Sequence, residues 1–198
     1  MHYTLNSLKE WTLDEPVTST RGARYLPLKC LGSSVTTQLG TKDCPVRSPF
    51  GASCYGDESS TRKTLEFSVE PETVQEWEEV TKWARNYLVE NSSRLFKKTM
   101  SKESIAENFR APVQQKGEYK PLLRCKITTA GLNACRCWDQ DGKRIELPED
   151  LRNVPVAVKL AVERVWCMSK EMGLVLTVTD LQLCSDPVSC PFSNDCPF

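Results

Sequence analysis

Apolar and polar positions alternate in RKTLEFSV (62–69), which predicts a strand with Leu65, Phe67 and Val69 on one face and Lys63 on that side at its entrance. After Pro71 the period changes. Val74, Trp77, Val80, Ala84, Tyr87 and Leu88 recur at three- and four-residue steps, the apolar face of a helix covering about 72–90. Pro71 suits its first turn, and Glu72, Glu76, Glu78 and Glu79 favour its N-terminal half, where the helix dipole attracts anions. A second, shorter helix is expected from a cap at Ser101, carrying Ile105, Ala106 and Phe109 inward and ending before Pro112.

On either side of this helical excursion the pattern is β. LPLKCLGSSVTTQL (26–39) favours strands broken at Gly32, whereas 41–60 is loop by composition and the first 25 residues suit an edge or loosely ordered segment. EYKPLLRCKITTAG (118–131) reads as a strand, NACRCWD as another ending at the turn DQDG, and KRIEL as its return. PEDLRN is a short turn or loop. VPVAVKLAVERVWCM and GLVLTVTDLQLC form a long hairpin, with a bulge where Val162 and Val165 break alternation. The expected class is therefore mainly β with one or two helices, a small closed Greek-key barrel with a helical excursion over about 72–110. Residues 1–184 are read as one domain and 185–198, with three Pro and two Cys, as a flexible tail.

Composition changes the picture little, and distribution more. Lys plus Arg (26) equals Asp plus Glu (26), yet from Lys82 to Lys126 eleven cations face four Glu, a pointer to an anionic ligand or a solvated helix face. The start MHYTLNSLKEW has no apolar signal region, and no apolar run approaches the roughly 18 residues of a membrane span. An intracellular chain with no membrane partner is expected, its ten cysteines reduced and packing as small hydrophobes. No C-x-x-C occurs, and the single His2 is terminal. The least unsuitable zinc set is Cys135, Cys137, Cys190 and Cys196, and no metal or other cofactor is assigned.

Catalytic signatures are lacking as well. Phosphate-loop, dinucleotide, nucleophile-elbow and H-E-x-x-H motifs do not occur, and no histidine stands where a catalytic base would be needed. Asp139 and Asp141 are ordinary turn formers, so an enzyme is not expected.

Alternation along two strands supplies the candidate site. Arg124 and Lys126 share a face opposite Leu123, Cys125 and Ile127, and Arg136 and Trp138 share a face opposite Cys135 and Cys137. If the two strands lie in one sheet, these four residues form a basic and aromatic surface, which Lys143, Arg62, Lys63 and Phe50 would extend. Trp138 would equally suit the lid of a hydrophobic core, and Trp77 and Trp166 read as core. Lys98, Lys102 and Arg110 are a second cationic track or plain solvated surface.

The run from Arg124 to Leu183 has a further grammar: a basic strand, an aromatic-tipped strand, a D-x-x-G turn, the connector LPEDLRN, and a closing strand G-L-x-L-x-V-x-x-L-x-L. It resembles the OB-fold single-stranded DNA-binding proteins of phages and large DNA viruses, over roughly 118–184 and more weakly at SPFG (48–51) and RKTLEFSV (62–69). The resemblance implies a sequence-nonspecific protein that coats and protects single strands in DNA replication, recombination or repair. Bases would stack on Trp138 and Phe50, and phosphates would meet Arg124, Lys126, Arg136, Lys120, Lys143 and Lys63. It further implies replication proteins as partners at the nucleus or a viral replication site, and leaves RNA binding and a homodimer open. The chain departs from the phage pattern at its end, SNDCPF, where Asp195 is the only acid near Phe198. A β-barrel protein–protein adaptor and a small zinc-binding regulator are the alternative readings.

Overall fold

The computed structural model describes residues 5–20, 22–54, 59–115, 117–168 and 171–185. After a 3-10 turn at Leu5–Glu10 come β1 (Trp11–Leu13), β2 (Val17–Thr18), β3 (Arg24–Cys30), β4 (Val35–Leu39), β5 (Ala52–Ser53) and β6 (Arg62–Ser68). Helices α1 (Pro71–Glu90), α2 (Ser92–Phe96) and α3 (Lys102–Asn108) follow. The chain ends in β7 (Phe109–Arg110), β8 (Val113–Gln114), β9 (Leu122–Thr128), β10 (Arg136–Trp138), β11 (Arg144–Ile145), β12 (Val156–Cys167) and β13 (Met172–Leu183). The protein is mainly β with a helical excursion, as expected, and it has three described helices rather than one or two.

The sheet is built on the β12–β13 hairpin, whose register shifts between Lys159 and Leu160 and again between Val162 and Arg164. The second shift is the bulge that the broken alternation predicts. One edge of β12 takes β3 and β4, both antiparallel. The free edge of β13 takes β7, β9 and β10 in turn, all parallel. β9 in turn pairs antiparallel with β6, and β6 with β5.

The expected closed barrel is corrected at one point. The main path runs β1-β3-β12-β13-β9-β6-β5 and its regular ladders do not return on themselves. Among the described residues, only 46–48 intervene between β6 and β12. Val46 and Val156 exchange both backbone hydrogen bonds at 2.9 Å, and Ser68 N–H donates to the Arg47 carbonyl at 2.9 Å. Pro45 and Pro49 flank this segment and lack the N–H that a longer ladder needs. Gly40 (φ +70°) lets the segment in, because a Cβ there would stand 3.0 Å from Val46 N and 3.2 Å from the Val156 carbonyl.

One core runs beneath the sheet. Leu65, Phe67, Leu123 and Ile127 are at most 1 % exposed, and burial of each side chain is worth roughly 1.5–3 kcal/mol. The helices cover it through Trp77, Val80, Ala84, Leu88 and Ile105. Ser101 caps α3, accepting the Ser104 N–H at 3.2 Å, but Ala106 is exposed and Phe109 belongs to β7. α2 is too short to show a period. Its buried Ser92 donates to the Val89 carbonyl at 2.9 Å and accepts the Met100 N–H at 3.1 Å, tying together the turn after α1. The N-terminal segment is an edge strand with core residues: Trp11 is 1 % exposed and meets the Trp83 ring edge-on at 5.4 Å.

Candidate nucleic-acid interface

On β9 the pattern puts Leu123, Cys125 and Ile127 inward and Arg124 and Lys126 outward. Register then decides their company. Arg62 stands across from Thr128, Thr64 from Lys126 and Glu66 from Arg124 on β6, while Thr177 of β13 lies beside Lys126 on the other side. Where this outer face meets β7 and the end of the β12–β13 hairpin there is a cleft of about 320 Å³, lined by Arg62, Arg110, Arg124, Lys126, Trp166 and Met168 among others.

Lys126 is the electrostatic centre of this cleft. Its ammonium donates to the Thr64 hydroxyl at 2.8 Å. Burial holds its pKa below the usual lysine value, and the neighbouring charges of Arg124 and Arg62 lower it further. A group whose own charged form is disfavoured by burial and by cations is one that an approaching anion relieves. Arg110 reaches the rim from β7 and is paired with Glu171. Trp166, partly buried, lies over Gly173 of the facing strand, where a Cβ would stand 2.9 Å from its Nε1.

The outer face continues along β13 to a second site. Arg136 and Trp138 alternate outward from the buried Cys135 and Cys137, as their spacing predicts. Both donate to one carboxylate: Arg136 Nη2 to Asp180 Oδ2 at 2.8 Å and Trp138 Nε1 to Asp180 Oδ1 at 3.3 Å. Burial pushes the Asp180 carboxyl up, but hydrogen bonds from Arg136, Thr179 and Trp138 outweigh it and leave it below the usual range. Trp138 lines a notch of about 330 Å³ with Gln38, Gly142, Lys159, Asp180 and Gln182.

The predicted residues are thus divided. Arg124 and Lys126 share the first cleft with Arg62, while Arg136 and Trp138 lie further along the same face. Lys143 stands in the hairpin turn beside them, where its backbone N–H donates to Asp139 Oδ1 at 2.8 Å. Lys63 alternates with Thr64 and so lies on the face opposite Lys126. Lys120 is paired with Glu70 at 2.6 Å, at the start of α1. Phe50 is 59 % exposed on the loop joined to Arg152 through Ser48, outside the lining of both clefts.

The aromatic of the first cleft is one that reads as core in the sequence. Its signal was nevertheless present: Lys159, Ala161, Arg164 and Trp166 follow the polar face of β12 once the bulge is counted. The thiols Cys125, Cys135 and Cys137 have their pKa values raised by burial, Cys135 to about 12, as expected of packing residues. Cys190 and Cys196 lie outside the described residues.

No protein-family model matches the chain, and no curated protein matches it. Solved structures do. The fold is similar to that of gp2.5, a single-stranded DNA-binding protein encoded by bacteriophage T7, with a TM-score of 0.53 at 12 % identity over 77 % of this chain and 87 % of that one. The single-stranded DNA-binding protein from bacteriophage Enc34, solved in complex with ssDNA, aligns with a TM-score of 0.48 at 7 % identity over 87 % of this chain and 95 % of that one. The likeness to gp2.5 shows that the chain shares its mainly β, OB-like fold, with the resemblance lying in the fold and not in the sequence.

Proposed function

We propose that this protein binds single-stranded DNA on the outer face of its sheet, with phosphates held by Arg62, Arg110, Arg124 and Lys126 and a base stacked on Trp166. The observation that carries the reading is the gathering of four cations around one partly buried indole in one open cleft. That is the combination single strands require: a basic groove for the backbone, and an aromatic face worth about 1–3 kcal/mol per stacked base. The fold it shares with gp2.5 supports the same reading. Such contacts scarcely read sequence, so the protein coats and protects single strands without catalysing a reaction on them. It does so in replication, recombination or repair, alongside replication proteins inside the cell, in a nucleus or at a viral replication site, with residues 1–184 as the binding unit. Anisotropy titration of labelled oligo-dT tests this, with affinity expected to fall steeply as salt rises. Absence of binding at low salt overturns it, and competition by oligo-rU decides between DNA and RNA.

A further inference from the structure

We infer that the Trp138 notch is a base-reading subsite that prefers a base carrying an exocyclic amino group. The inference rests on the single-strand reading above, because the notch continues the same outer face. Gly173, under Trp166, and Asp180, beside Trp138, belong to one strand and are about 23 Å apart at about 3.3 Å per residue. A strand of about four nucleotides, the lower end of OB-fold site sizes, spans the two sites.

The chemistry of the walls differs from that of the first cleft. There the lining is cationic, whereas here it is an indole, two amides, a carboxylate and one ammonium. Both amides are oriented by their nitrogens. Gln38 Nε2 donates to the Gly40 carbonyl at 3.0 Å, and Gln182 Nε2 donates to the Asp139 carbonyl at 3.2 Å. Each nitrogen spends one of its two N–H groups in this way, and each amide keeps its oxygen, an acceptor, beside one remaining N–H. Lys159, across the ladder from Asp180 and beside Gln38, supplies the donor. A base stacked on Trp138 therefore meets acceptors for an amino group and an ammonium for a ring nitrogen or carbonyl. Cytosine presents that set: a 4-amino donor beside N3 and O2 acceptors. Uracil and thymine place a carbonyl at C4 and a proton on N3, so they turn an N–H toward the donor-only ammonium and a carbonyl toward the amide oxygens and the Asp180 carboxylate.

The test compares oligo-dC with oligo-dU of equal length, two weakly stacking polymers that differ at C4 and N3, by anisotropy on the full chain at one salt concentration. Wild-type protein is expected to bind oligo-dC several-fold more tightly, and the ratio to approach one in Q38A/Q182A. Q38A alone, which removes an exposed side chain and leaves the backbone pairing in place, narrows the ratio part-way and keeps the test readable if the double variant does not fold. Equal wild-type affinities overturn the inference and leave the single-strand reading standing. A dC preference that survives in both variants also overturns it, because the selectivity then lies elsewhere. Failure to bind either polymer overturns the single-strand reading and the inference together.

Discussion

The indole of Trp166 lies against the backbone of Gly173: a methyl group on that glycine would stand 2.9 Å from the indole Nε1 and 2.8 Å from the Arg110 carbonyl. The glycine thus gives the ring a floor and lets β7, which carries Arg110 to the cleft, approach β13. Gly173→Ala is expected to destabilise the fold by about 1–3 kcal/mol, since neither neighbour is a flexible side-chain end. Urea unfolding and tryptophan emission check this. A variant as stable as wild type with unchanged emission would mean that the ring does not rest there.

Trp166→Ala is expected to weaken oligo-dT binding by about 1–3 kcal/mol, the cost of one lost stack. Trp138→Ala should cost less on the same polymer, because thymine matches its notch poorly. Anisotropy titrations of both variants, alongside thermal unfolding, separate lost stacking from lost fold. The reverse order of the two effects would place the principal stack on Trp138.

Arg124→Ala should lower the magnitude of the slope of log K against log salt by about 0.7, one phosphate contact on a single strand. Lys120→Ala should leave the slope unchanged, since its ammonium is held by Glu70 away from the cleft. Titrations at four or five salt concentrations decide it, and equal slopes for wild type and the Arg124 variant count against a phosphate at that position.

Lys126 makes affinity and stability respond to alkaline pH in opposite directions. Its folded pKa is lowered from 10.5 by burial and by Arg124 and Arg62. As pH rises through the folded value the native state gives up a proton that the unfolded chain still holds, so stability rises across that window. The neutral amine no longer attracts phosphate, so affinity falls over the same range. Lys126→Met should remove both trends, as unfolding and binding measured from pH 8 to pH 10.5 would show.

Much of this was legible locally. Alternation put Arg124 and Lys126 outward and Cys135 and Cys137 inward, and the three- and four-residue steps around Trp77 marked α1 almost to the residue. These features depend on the geometry of a single strand or helix, which the chain's own period reports. α2 was not legible, because a five-residue helix completes too little of a period, and its footing is a buried serine.

The sequence by itself determined the elements, their inward and outward faces, and a surplus of cations in the middle of the chain. Only the tertiary structure decided who meets whom. Arg136 and Trp138 both rest on Asp180 because β10 lies parallel to β13, a partner more than forty residues away. Trp166 belongs to the basic cleft because the bulge between Val162 and Arg164 of β12 sets its face and because Gly173 leaves room for its ring. Even the open path of the sheet depends on two prolines that limit residues 46–48 to single bridges. Pairing between distant strands follows from the packing of the whole core and from turn geometry, and no local period encodes it.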